Sequence, residues 1–153
     1  MSTYLGKPSS YWKDLIVSVN PERSDPSESN ETAYSAAIEH QAGSNEKDLS
    51  LLTIADPALL PMFAEFLQDD DWWIRHFAVG MLAQFGSHAK TLVELIIPLL
   101  KVEEHFLNRR QAADTLGAIG SEAKAAVPVL QTLLDEEDVS EWAEAALKQI
   151  QHQ

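Results

Sequence analysis

No cysteine occurs among the 153 residues, which excludes disulfides, thiolate chemistry and cysteine-ligated zinc. Long apolar runs are missing too. The longest, Leu95-Ile96-Ile97-Pro98-Leu99-Leu100, falls far short of the ~20 residues that span a bilayer, so no membrane partner is expected. Met1 to Pro8 show no basic stretch followed by an apolar one, so no signal peptide is expected and a cytoplasmic location is the default. Positive charge is scarce. Lys and Arg number 11 against 24 Asp and Glu, for a formal charge of −13, and the imbalance runs through the chain rather than sitting in a tail. Such a field repels phosphate backbones and anionic lipid and attracts basic surfaces, although solubility alone also accounts for it. Residues 51–100 hold only Arg75 and Lys90 as basic groups, so nucleic acid is not expected as a partner.

What is present is a hydrophobic fraction of 45%, enough for one domain with a sizeable core. From about residue 45 onward apolar residues recur at spacings of three and four, the period of an amphipathic helix. In Asp71 to Gly86 the stripe is Ile74, Phe77, Ala78, Met81, Leu82 and Phe85, with Asp71 placed to cap its start and Gly86 its end. Asn108 to Gly120 repeats it. Arg75 corresponds to Arg109, Ala78 to Ala112, Leu82 to Leu116 and Gly86 to Gly120, each pair 34 positions apart. Beyond the glycine, Val93 falls on Val127, Ile96 on Leu130, Leu99 on Leu133 and Leu100 on Leu134 at the same offset. Partial copies flank these two. Asp56 to Leu67 reads as the second helix of an earlier unit, similar to Val127-Pro128-Val129-Leu130 onward. Val139, Trp142, Ala143, Ala146, Leu147 and Ile150 restart the first-helix pattern, with Ser140 read as the counterpart of Arg75 and Arg109.

A period of about 34 residues with two helices per period marks an α-solenoid, in which each hairpin buries its apolar face only by stacking on its neighbours. The expected fold is therefore all-α: an α-solenoid of about three to four stacked helical hairpins over residues 45–153, preceded by a capping segment and linker at 1–44. In that segment Tyr11, Trp12, Leu15 and Ile16 form a short amphipathic helix. Tyr11 and Trp12 are read as covering the first repeat's open core, in preference to a partner-binding arm. Asn20 to Asn30, rich in Pro, Ser and charge, is read as a loop or linker, and Thr32 to Gln41 as a helix. Pro98 inside an expected second helix should kink it or shift its start.

The run Asp69-Asp70-Asp71-Trp72-Trp73-Ile74-Arg75-His76-Phe77-Ala78, followed by Leu82 and Gly86, resembles the HEAT-repeat consensus. In particular it resembles the short bacterial type also found in phycobilin lyase subunits, and Asp56-Pro57-Ala58 with Pro61 matches that type's second helix. The resemblance covers roughly residues 45–151. It implies a stack of helical hairpins and leaves function open, because the family hosts scaffolds, adaptors, inhibitors and a few enzymes. It also implies a ladder in which Arg75 and Arg109 bond acidic residues of neighbouring turns, with Asp70, Asp71 and Glu104 as candidate partners. This reading is preferred over an arginine patch that grips an anionic ligand.

Catalytic, cofactor-binding and metal-binding residues are not expected. His40, His76, His88, His105 and His152 form no metal-ligand spacing, and the dipeptides Glu39-His40 and Glu104-His105 occupy non-equivalent positions. Ser87 and Ser121 lie in matching turns, where serine caps helices. No nucleophile elbow, phosphate loop or dinucleotide fingerprint is present, and Asp135 to Asp138 lacks the spacing of a calcium loop. The expected function is protein binding without catalysis: an acidic adaptor or immunity-type inhibitor that engages a basic protein. A bilin-lyase-like enzyme subunit and a nucleic-acid-binding protein are the alternatives. The partner-binding candidates are Asp70, Asp71, Trp72, Arg75, His76, Glu104 and Arg109. Trp73 is expected to face the core with Phe77. For Trp72 two readings stand open, a solvent-leaning interface anchor and packing on the preceding unit.

Overall fold

A computed structural model describes residues 2–18 and 46–152. The expected loop at Asn20 to Asn30, the helix at Thr32 to Gln41 and His40 lie outside the described residues. The chain forms two compact units, Met1–Ile54 and Ala55–Gln153.

In the first unit a two-stranded hairpin pairs β1 (Thr3–Tyr4) with β2 (Lys7–Pro8) in antiparallel register. Leu5 and Gly6 both take positive φ at its tip, as a tight hairpin turn requires. Helix α1 (Ser9–Ser18) follows directly, and α2 is Glu46–Leu52. Trp12 is fully buried and donates its indole N–H to the Tyr4 carbonyl at 2.9 Å. Lys7 and the Tyr11 hydroxyl both donate to Asp48 Oδ2, which ties α1 to α2.

The second unit is built on the 34-residue period. Its three first-position helices begin at equivalent residues: α4 is Trp72–Leu82, α6 is Phe106–Ile119 and α8 is Ser140–His152. These three pack side by side in chain order. Ala78, Ala112 and Ala146 fall at one register position and Leu82, Leu116 and Ile150 at another, and all six are buried. Small residues at the first position let neighbouring helices approach. Large ones at the second fill the core, each worth about 2 kcal/mol of burial. Trp73 and Phe77 join this core as expected.

The second-position helices are shorter and wind partly as 3-10 turns. Helix α3 (Leu60–Phe66) follows a 3-10 turn at Pro57–Leu59, α5 (Val93–Ile96) continues as 3-10 over Ile97–Leu100, and α7 (Val127–Thr132) as 3-10 over Leu133–Asp135. Pro61 and Pro128 sit in the first turn of their helices, where the missing N–H costs nothing. Pro98 stands where α5 gives way to the 3-10 turn, because it has no N–H to bond the preceding turn. Gly120 ends α6 as its C-cap, whereas α4 ends at Leu82 with Ala83 as its C-cap and Gly86, expected to cap that helix, instead breaks the 3-10 segment Ala83–Leu92 that follows. Both glycines take positive φ, +75° and +50°, with ψ of −142° and −133°. That region is essentially closed to residues with a Cβ, which accounts for glycine at both places.

The third copy corrects one correspondence. Because α8 starts at Ser140, that residue matches Trp72 and Phe106, and the arginine position is taken by Ala143. Leu134 departs as well, being 42% exposed where its counterpart Leu100 is buried.

Candidate functional site

The predicted residues converge on the joint where the start of α4 meets the turn before α6. Local sequence builds it. Asp69 Oδ1 accepts the Asp71 N–H, and Asp71 Oδ1 accepts the Trp73 N–H, both at 2.9 Å, so α4 begins at Trp72. Arg75, one turn along, then reaches across. Its Nε and Nη2 donate to Glu104 Oε2 and Oε1 at 2.9 and 2.7 Å, while Nη1 donates to the carbonyls of Asp69 and Asp70. A guanidinium matches a carboxylate in this two-pronged way, and its remaining N–H groups satisfy carbonyls of the preceding turn.

Glu104 is only 11% exposed in its side chain and accepts further bonds from the His105 N–H and from Asn108 Nδ2. Burial pushes its carboxyl up, but the bonds from Arg75, the His105 N–H and Asn108 outweigh burial and hold it below the ordinary range. Asn108 is fully buried and binds on both sides of its amide. Nδ2 donates to the Trp72 carbonyl at 3.0 Å as well as to Glu104, which leaves Oδ1 to accept from His76 Nδ1 at 3.0 Å. Burial lowers the pKa of His76 to about 4, against the raising effect of that Asn108 bond and with a further lowering from nearby His105.

A line of rings and cations runs along the joints. The Trp72 indole lies flat on the His105 imidazole, centroids 3.9 Å apart and planes 7° from parallel. His105 stacks on Phe106 at 4.9 Å, and the Arg110 guanidinium lies 5.4 Å from the Phe106 centroid and 4.4 Å from that of Trp142. Trp72 edges onto Trp73 at 5.7 Å. The indole of Trp72 is therefore partly covered by the following unit, a packing that neither reading from the sequence foresaw.

Trp72, Arg75, His76 and Glu104 thus meet in one network. Asp71 is the cap of α4, and Asp70 contributes its carbonyl while its side chain stays exposed. Arg109 does not belong to this cluster. It lies in the next joint, where Nη2 meets Glu136 Oε2 at 2.6 Å and Nε donates to the Leu100 carbonyl at 3.0 Å. Its side chain is 5% exposed, so it is spent on the fold. The expected arginine ladder is present, with Glu104 and Glu136 as the carboxylate rungs and without the carboxylates of Asp70 and Asp71.

Sequence reading missed His105 and Asn108. Asn108 carried a signal, since it falls at the stripe position of Ile74 and a polar group there had to find partners. Among the described residues no group of three potential metal-ligating side chains occurs. The Arg75–Glu104, Asn108–Trp72 and His76–Asn108 contacts lock α4 to α6 and the turn before it, while those of Asp69, Asp71 and the His105 N–H shape the helix starts.

Successive helical hairpins with equivalent helix starts, matched glycine turns and an arginine rung at each joint define a repeat protein of stacked hairpins. The sequence profile describing HEAT repeats matches residues 60–150, and the chain belongs to the HEAT-repeat family. HEAT repeats generally mediate protein–protein interaction. No curated protein and no solved structure matches the chain. Among the described residues no helix is long and apolar enough to cross a membrane.

Proposed function

We propose that this chain is a non-catalytic protein-binding module, an adaptor or immunity-type inhibitor, and that it engages a basic protein through the edge formed by its inter-unit turns. The observation that carries the reading is a difference in charge between the two edges of the repeat array. The turns that enter α4, α6 and α8 expose Asp70, Glu103, Asp135, Glu137 and Asp138 with one cation, Lys101. The glycine turns at the other edge expose Lys90 and Lys124 with Glu122. Val102, 72% exposed, and Leu134 lie on the acidic edge. A carboxylate rim around exposed apolar side chains suits a cationic segment that inserts an apolar residue, with the charges speeding and orienting the encounter. The sequence's lack of cysteine asks for no oxidising compartment, which fits a cytoplasmic setting.

The test compares charge reversal at the two edges. Partners captured from a native lysate are identified by mass spectrometry for the unaltered chain, for E103K/E137K/D138K and for K90E/K124E. A basic protein should be retained by the unaltered chain and by K90E/K124E, and lost from the triple variant. Retention by the triple variant, or binding of DNA at physiological salt, would contradict the reading.

A further inference from the structure

The first turn of α6 is capped in an unusual way. The N-cap residue is His105, and its Nδ1 accepts the Leu107 N–H at 3.3 Å. An imidazole nitrogen accepts only through a free lone pair, so this bond places the ring proton on Nε2. Among the described residues Nε2 of His105 is the buried side-chain polar atom that makes no hydrogen bond. The ring is pinned between the Trp72 indole and Phe106 and has little freedom to turn away.

A second proton would have to go on Nδ1. It would then point a donor at the Leu107 donor, remove the cap and set a cation on the positive end of the α6 dipole. The charged and titratable groups that face the ring are divided. Glu104, on the turn itself, favours the cation, while Arg75 on α4 opposes it; His76 on α4 interacts with it as a second titrating imidazole. The indole face of Trp72 also favours the cation. Burial opposes it and is the largest effect, so the His105 pKa lies below its ordinary 6.5.

We propose that the joint between α4 and α6 is an acid-sensitive latch, in which the neutral His105 ring caps α6 and protonation of that ring releases the cap. The equivalent cap one unit earlier is Asp71, which accepts the Trp73 N–H through a side-chain oxygen and has no ring nitrogen to protonate. Acid therefore loosens α6 at its start while α4 stays capped. The turn 101–105 carries exposed Val102 and Glu103, so the latch would also act on the proposed binding edge. That consequence rests on the function proposed above, whereas the latch does not.

The test is chosen to need no partner. Unfolding by urea is measured at pH 7.5 and pH 5 for the unaltered chain, H105N and H105D, and the backbone amide of Leu107 is followed by NMR across the same range. Asn and Asp both cap helices, and Asn has no charge to change. The unfolding constant of the unaltered chain should rise about fivefold more between the two pH values than that of H105N, the size of one lost cap. The Leu107 amide should shift with the titration of the His105 ring, while the Trp73 amide should not. Equal pH sensitivity in H105N, or a Leu107 amide that ignores the titration, would overturn the latch. Should H105N fail to fold, H105D carries the same comparison through the Leu107 amide, which should then lose its response.

Discussion

Arg75 and Arg109 hold the same place in successive units, yet the joints they make are built differently. At the first joint both partners are largely buried, and the carboxylate is the hub: Glu104 takes Arg75, Asn108 and the His105 N–H together. At the second joint the arginine is the hub. Arg109 is buried and tied to a backbone carbonyl, while its Glu136 partner is 41% exposed and screened by water. The first joint buries a polar network with two histidines beside the Trp72–His105 stack. The second adds close helix packing and the Arg110–Trp142 contact. One repeat position can thus serve as a network or as a plug, and the neighbouring residues decide which.

The largest expected effect concerns the histidines. His76 titrates near 4 in the folded chain and at its ordinary 6.5 when unfolded, so between those values the unfolded state binds the extra proton. Stability is therefore lost as pH falls from 6.5 to about 4, by on the order of 3 kcal/mol. H76Q, which keeps a donor for Asn108, should flatten that part of a urea-unfolding profile, and an unchanged profile would remove the distinction between the joints. Next, the hubs should cross. R109A should cost about 3 kcal/mol and E136A about 1, whereas at the first joint E104A should cost about 2–3 and R75A less. Chemical denaturation of the four variants at pH 7 checks the order.

Glycines sharpen the contrast at smaller scale. A Cβ on Gly117 would run into the Gln149 side-chain amide and lie 3.1 Å from the Ala146 Cα, so G117A should lose about 1–2 kcal/mol despite its better helix propensity. A Cβ on Gly80 would meet nothing closer than Gln111 at 3.8 Å, and G80A should gain about 0.5–1 kcal/mol. Thermal melting of the pair reads the opposite signs. Least of all, K90A should shift the melting point negligibly, because the Lys90–Glu122 pair is long at 3.6 Å and exposed on both sides.

Most of the repeat framework was legible in the sequence because its markers are local. Asp71 caps through its own turn, Gly86 and Gly120 report a backbone angle, and the apolar stripe reports a helix period. The arginine ladder was legible as a pattern, and Glu104 as one of its rungs. What escaped depends on how adjacent units face each other. That Trp72 would lie on His105 follows from the angle between α4 and the turn before α6, and no spacing encodes it. His105 as a cap was hidden because its counterpart is Asp71, a residue of different chemistry that shares only the ability to accept one N–H. Ser140 was set at the wrong register because the third copy keeps no arginine to anchor the alignment.

The two glycine turns have a consequence for how such a chain grows. Gly86 and Gly120 hold nearly the same backbone angles, so the 34 residues of segment 87–120 enter and leave on matching geometry. A duplicate of that segment inserted after Gly120 would start from the turn it already knows and present a second Arg109 to the following turn. Ala143 offers no such arm. The array is therefore open to lengthening from within by whole copies of this segment.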